Sequence, residues 1–178
     1  KEMIFPHLDG EILGFGRQIN RFQQFQQHHI KDENNNKEYD FTIYSIVKFF
    51  QLCMENNPNM VDVLFLPDRC IIHMTNIGKM IRENRKLFLH KGSFYKFKGY
   101  AYSQIHKIKN KKPEGKRKEL VEKYSYDVKF GYHGKRLLLE IEQIMLEGDL
   151  DLERNRNELK AIRNGEVSLD QLISWFEQ

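Results

Sequence analysis

The chain has 178 residues, is 40% hydrophobic and 12% aromatic, and carries a net charge of +4 from 29 basic and 25 acidic side chains. That length suits one domain or two small ones with a real core, and the composition excludes a disordered chain. The longest apolar runs, such as "VDVLFLP", are far too short to cross a bilayer, and so mild a basic surplus does not by itself mark a nucleic-acid binder.

No signal-peptide pattern opens the chain, so a reducing cytoplasm is expected, with Cys53 and Cys70 as buried free thiols and no membrane partner. The first residue is Lys1 rather than Met, from which further residues upstream are expected. In "EILGFGRQINRFQQFQQHH" the spacing of Ile19, Phe22 and Phe25 predicts a helix, and "IKDENNNKEY" reads as a polar loop. "EYDFTIYS" alternates: Tyr39, Phe41 and Ile43 face one way, Asp40, Thr42 and Tyr44 the other, which predicts a strand. "SIVKFFQLCMEN" then predicts a helix, and "NNPN" ends it, because Pro58 disfavours the α conformation at Asn57. "MVDVLFLP" and "CIIHM" are short apolar segments, one helical and one a strand. From Thr75, a helix cap, the pattern is nearly all helical. "NIGKMIRENRKLFL" and "SFYKFKGYAYSQIHKIK" come first, and "NKKPEGKRKE" is a basic linker. A long helix follows, broken near Ser125 and Asp127 and ending at Gly148. The last two helices are separated by Gly165, and Ser168 with Gln171 has capping-box spacing.

Few residues suggest chemistry by pattern alone. On the helix of "YDVKFGYHGKRLLLE", Lys129, His133, Arg136 and Glu140 fall on one narrow stripe beside the apolar stripe of Phe130, Leu137 and Ile141. Arg offers a planar fork, Lys a point charge and His a switchable donor, a set suited to phosphate. The plainer reading is a solvated face on which Glu140 pairs Arg136. Asp40 on the polar face of its strand can hold a divalent cation, although most such carboxylates are merely solvated. Asp149 and Asp151 form a D-x-D, here in a helix-terminating loop. Gly92-Ser93 could bare N–H groups to phosphate, but Ser93 reads better as a helix cap. "KIKNKKPEGKRK" could meet nucleic-acid phosphates or be an ordinary solvated linker. The histidines, including His28 and His29, show no metal spacing.

Four blocks in order, "YDFTIYSIVKFFQLCMENNPNMVDVLF", "FKGYAYSQ", "YDVKFGYHGKRLLLEIEQIMLEGDL" and "LKAIRNGEVSLDQL", together resemble the predicted nucleotidyltransferases of the DNA polymerase β superfamily, some of them associated with RNA repair. The resemblance implies an α+β fold: a small mixed sheet of nucleotidyltransferase type over residues 1–74, then a helical bundle over 75–178. It implies a metal-dependent transfer of a nucleoside monophosphate from a nucleoside triphosphate to a hydroxyl acceptor, with Mg²⁺ or Mn²⁺ held by carboxylates. Asp40 matches the third carboxylate of that site. Lys129, His133 and Arg136 match the family's Asp-x-Lys…His…Arg helix, where phosphate contacts are expected. Gly99, Tyr100, Ser103 and Gln104 match a block near the same cleft. Asn57 and Asn59 match a supporting Asn-Pro-Asn block, with Asp62 where Glu is usual. The family's Gly-Ser turn and D-x-D have no counterpart at the matching place and are expected before residue 1. The alternative is an inactive module that binds a nucleotide or RNA, and RNA is a candidate partner under either reading.

Overall fold

The computed structural model describes residues 2–5, 25–32, 34, 36–110 and 112–177. They form two compact units, Lys1–Glu55 and Asn56–Gln178.

Among the described residues the first unit holds a three-stranded mixed sheet and one helix. β1 (Glu2–Phe5), β2 (Phe25–Asp32) and β3 (Lys37–Ser45) lie in the order β1-β3-β2. β3 is central, parallel to β1 with Glu2 opposite Thr42, and antiparallel to β2 with His29 opposite Asp40. The predicted strand is therefore present. The Gln-rich stretch differs from expectation: Phe25–Asp32 is a strand rather than the end of a helix. The expected loop 30–39 shrinks to a hairpin turn, because ladder pairing with β3 outweighs the weak helical spacing. Asn34 N–H donates to the Asp32 side chain at 3.0 Å, and Asn36 takes a left-handed conformation at φ 54°, as tight polar turns favour. Residues 11–24 lie outside the described residues. β3 runs straight into α1 (Ile46–Met54), whose first turn is capped by Ser45 accepting from the Lys48 N–H. Phe49 and Cys53 are its buried residues.

The second unit holds seven helices among the described residues: α2 (Pro58–Phe65), α3 (Asn76–Glu83), α4 (Gly92–Asn110), α5 (Lys116–Tyr124), α6 (Val128–Glu147), α7 (Arg156–Arg163) and α8 (Leu169–Glu177). Residues 56–74, which the sequence groups with the sheet, are tied into this unit. The Asn56 amide donates to Phe88 O at 2.9 Å, and Arg82 donates to Leu64 O and Leu66 O at 3.1 and 2.7 Å. "CIIHM" is no strand: Asp68–Cys70 is a 3-10 turn, and Ile71–Met74 has no ladder partner among the described residues. Cys70 is exposed rather than buried, whereas Cys53 is buried and its thiol is pushed up to about 12 by that burial.

α4 and α6 are the packed pair at the centre of this unit. Phe97, Ala101 and Ile105 of α4 and Phe130, Leu137, Ile141 and Ile144 of α6 are buried. The expected break comes as a left-handed Ser125 at φ 67° followed by Asp127, whose carboxylate caps α6 by accepting from Lys129 N–H at 3.0 Å. Two α6 glycines let α8 approach closely. A methyl group at Gly131 would lie 2.9 Å from Leu172, and one at Gly134 would lie 2.6 Å from Phe176. Among the described residues no helix is long and apolar enough to cross a membrane.

Candidate functional site

Asp40 stands on the central strand of the first unit with its side chain exposed, directly across the ladder from His29. Pairs opposite each other on one face of a sheet are within reach, and His29 Nδ1 meets Asp40 Oδ1 at 2.7 Å. That hydrogen bond, and then the carboxylate charge, raise the His29 pKa. His29 was not legible as a partner because its segment reads as helical. Strand periodicity would have placed it on the Asp40 side.

The second unit holds the remaining predicted residues, and it divides them. On α4, Tyr100, Ser103 and Gln104 form a bonded group: Ser103 Oγ donates to Tyr100 O at 2.7 Å, and Gln104 Nε2 reaches Ser103 Oγ at 3.2 Å. Tyr100 Oη accepts from the Asn57 amide at 3.3 Å, where Asn57 caps α2. Gln104 borders α6, since a methyl group at Gly134 would lie 3.5 Å from its Cβ. Gly99 has open space around it.

On α6 the cationic stripe splits into an inner and an outer part. Arg136 is the inner part, with 17% of its side chain exposed. Its Nη1 is hydrogen-bonded to Asp62 Oδ2 of α2 and lies 3.2 Å from Glu140 Oε1 one turn along. Asp62 and Glu140 are themselves 15% and 4% exposed. The anions facing Arg136 are thus the protein's own, and both meet its Nη1. Two acids share one guanidinium, so the group holds one negative charge too many when all three ionise. Burial, and then Asp62, raise Glu140 to about 8; burial raises Asp62 as well. Asp62 Oδ1, Arg136 Nε and Glu140 Oε2 are buried and make no hydrogen bond among the described residues. An excess acid that keeps its proton removes the surplus charge.

Lys129 and His133 are the outer part. Lys129 has no carboxylate partner within ion-pair distance among the described residues, and His133 is exposed. Partial burial of its ring, and then the charges of Arg136, Arg163 and Arg117, pull His133 down to about 4, so it is neutral at pH 7. Among the described residues the stripe therefore presents one cation without an ion-pair partner, Lys129, and one neutral imidazole.

The other candidates are occupied locally. Ser93 does not cap α4. It is buried in its first turn, where its hydroxyl donates to Asn56 Oδ1 and accepts from His90 N–H at 3.4 Å. Asp149 pairs Lys86 at 2.6 Å, and Asp151 accepts from Glu153 N–H at 2.9 Å, as a helix-ending loop requires. No group of three His, Cys, Asp or Glu side chains that could hold a metal ion occurs among the described residues.

The family model for RlaP, the RNA repair pathway DNA polymerase beta family, matches residues 16–176. The chain belongs to that family. No curated protein and no solved structure matches it significantly. The RlaP match spans both units, so Asp40 and the α4–α6 residues all lie within it. Membership suggests a DNA polymerase β-like nucleotidyltransferase acting in RNA repair.

Proposed function

We propose that the protein moves a nucleoside monophosphate from a nucleoside triphosphate to a hydroxyl acceptor, with an RNA end as the favoured acceptor. The family match over residues 16–176 carries this reading. Magnesium or manganese belongs to it as the ion that offsets triphosphate charge. The described residues do not make that site by themselves: Asp40 is the one matching carboxylate, and His29 already bonds it. Asp40 can supply one hard oxygen ligand, and no step is derived through the metal.

On α4 and α6 the parts divide by exposure. Lys129 meets a phosphate as a point charge. His133, neutral at pH 7, supplies one N–H. Tyr100, Ser103 and Gln104 offer hydroxyl and amide groups on α4, the helix packed against α6. Arg136 acts as a positioning residue, holding α6 against α2 through Asp62. Calorimetry of Mg²⁺–nucleotide binding tests the assignment. Lys129→Ala should weaken binding about tenfold, the scale of one charge-assisted contact. Equal affinity would remove Lys129 from the site.

The alternative reading is a module that binds nucleotide or RNA without chemistry. The two part on chemistry: a binding module retains nucleotide and forms no labelled product.

A further inference from the structure

A cavity of about 290 Å³ opens at the start of α6, where the C-terminal part of α4, the following basic segment and α5 come together. Ile108, Val121 and Leu169 form the apolar part of its wall, and Phe130 and Tyr126 add aromatic surface. Its charged side chains are Lys107, Lys112, Arg117, Glu114 and Asp127. The resemblance assigned no role to this place.

Arg117 is its built element. The guanidinium carbon lies 4.2 Å from the centroid of the Phe130 ring. Its Nη1 is held by Asp127 Oδ2 at 2.9 Å. Asp127 is 7% exposed, and its other oxygen is engaged by the N–H groups of Lys129 and Phe130 at the start of α6. A buried, fully engaged carboxylate thus fixes a guanidinium against an aromatic ring, while 36% of the Arg117 side chain stays exposed. Arginine planes presented in this way stack on unpaired bases. A second cation, Lys107, lies 5.7 Å from the same ring, and Lys107 and Lys112 are exposed at the cavity.

The charges choose the ligand. Among the described residues three cations face Glu114 and Asp127, a surplus of one, which suits a single phosphodiester. The volume is at the small end for ligand sites, and an apolar wall beside a cationic mouth suits a base with its phosphate outside. Exposed Lys109 and Lys118 continue the positive charge on either side. We propose that this cavity holds one nucleotide of a single-stranded RNA, its base stacked on the Arg117–Phe130 pair and its phosphate at Lys107 and Lys112. The choice of RNA rests on the proposed function above; the cavity and its stacked arginine do not.

The test is fluorescence anisotropy with a short labelled single-stranded RNA, without nucleotide and with EDTA present. Absence of nucleotidyl transfer therefore cannot affect the result, and a protein that binds RNA here but transfers nothing would fail only the proposed function. Lys107→Gln/Lys112→Gln, both surface changes, should weaken binding about tenfold and flatten the slope of log affinity against log salt by about 0.7, the share of one single-strand phosphate contact. Arg117→Lys keeps the charge but loses the stacking plane, and should cost about fivefold or more with the slope unchanged. Thermal melts confirm that each variant is folded, and the lysine pair decides the matter if Arg117→Lys is not. A parent that fails to bind RNA, or a double variant with the parent's affinity and slope, overturns the proposal.

Discussion

Arg136→Ala separates a structural arginine from a phosphate fork. The substitution removes the guanidinium between Asp62 and Glu140 and leaves two carboxyl groups with 15% and 4% of their side chains exposed. Breaking a buried ion pair by deleting one partner costs about 3–5 kcal/mol, because the survivor is a charge without its counterion. Here the low end applies: Glu140 already keeps a proton up to about pH 8, so Asp62 is the main uncompensated charge at neutral pH. For a chain of this size about 3 kcal/mol lowers the melting temperature by roughly 6–12 °C. Urea unfolding followed by circular dichroism at pH 7 measures it, with Lys129→Ala as the surface control, expected within about 0.5 kcal/mol of the parent. Replacing all three groups by neutral side chains, as Asp62→Asn/Arg136→Met/Glu140→Gln, should recover most of the loss, since charge-free packing at such sites is often no worse than the ions. An Arg136→Ala variant as stable as the parent would refute this account of the triad.

The same group sets a pH dependence. The Glu140 carboxyl rises from an ordinary 4.5 to about 8 on folding, so between those values the folded state binds more protons and stability falls as pH rises. Glu140→Gln should flatten that slope in unfolding curves taken from pH 5 to pH 8 (about the window of the shift); an unchanged slope would assign it elsewhere. His133 works in the opposite sense: its pKa drops from 6.5 to about 4, so its contribution is present above 6.5 and is lost as pH falls through 4. A bound triphosphate should raise its pKa back toward the ordinary value, read by NMR titration of the ring proton with and without Mg²⁺–nucleotide, and a titration that does not move would place the phosphates away from α6. Gly134→Ala would push a methyl group to 2.6 Å from Phe176, and it should destabilise by about 1–3 kcal/mol in thermal melts; a neutral result would mean that α8 can shift freely.

The sequence was most informative where local rules and packing agree. The alternation of "EYDFTIYS" gives β3, Thr75 caps its helix, and the break at Ser125 and Asp127 lies at residues suited to a left-handed turn and a cap. It failed where a distant partner decides. Phe25–Asp32 is a strand because β3 pairs with it, a fact absent from its own spacing. The stripe on α6 was visible, but its division was not: helical periodicity places Arg136 beside the buried face and cannot show that Asp62, 74 positions away, approaches it from α2. The Arg117–Phe130 pair was hidden for the same reason, since its two members lie on different helices and Arg117 falls inside what reads as a basic linker.

The most direct test of nucleotidyl transfer is incubation of the protein with each α-labelled nucleoside triphosphate, Mg²⁺ or Mn²⁺, and RNA oligonucleotides bearing free terminal hydroxyls, beside the Asp40→Asn variant. The account predicts an RNA product carrying one labelled monophosphate, with release of pyrophosphate, and its reduction to background in Asp40→Asn while the variant keeps its melting temperature. A parent that yields no labelled product with any triphosphate, or an Asp40→Asn variant that transfers as well as the parent, would contradict it.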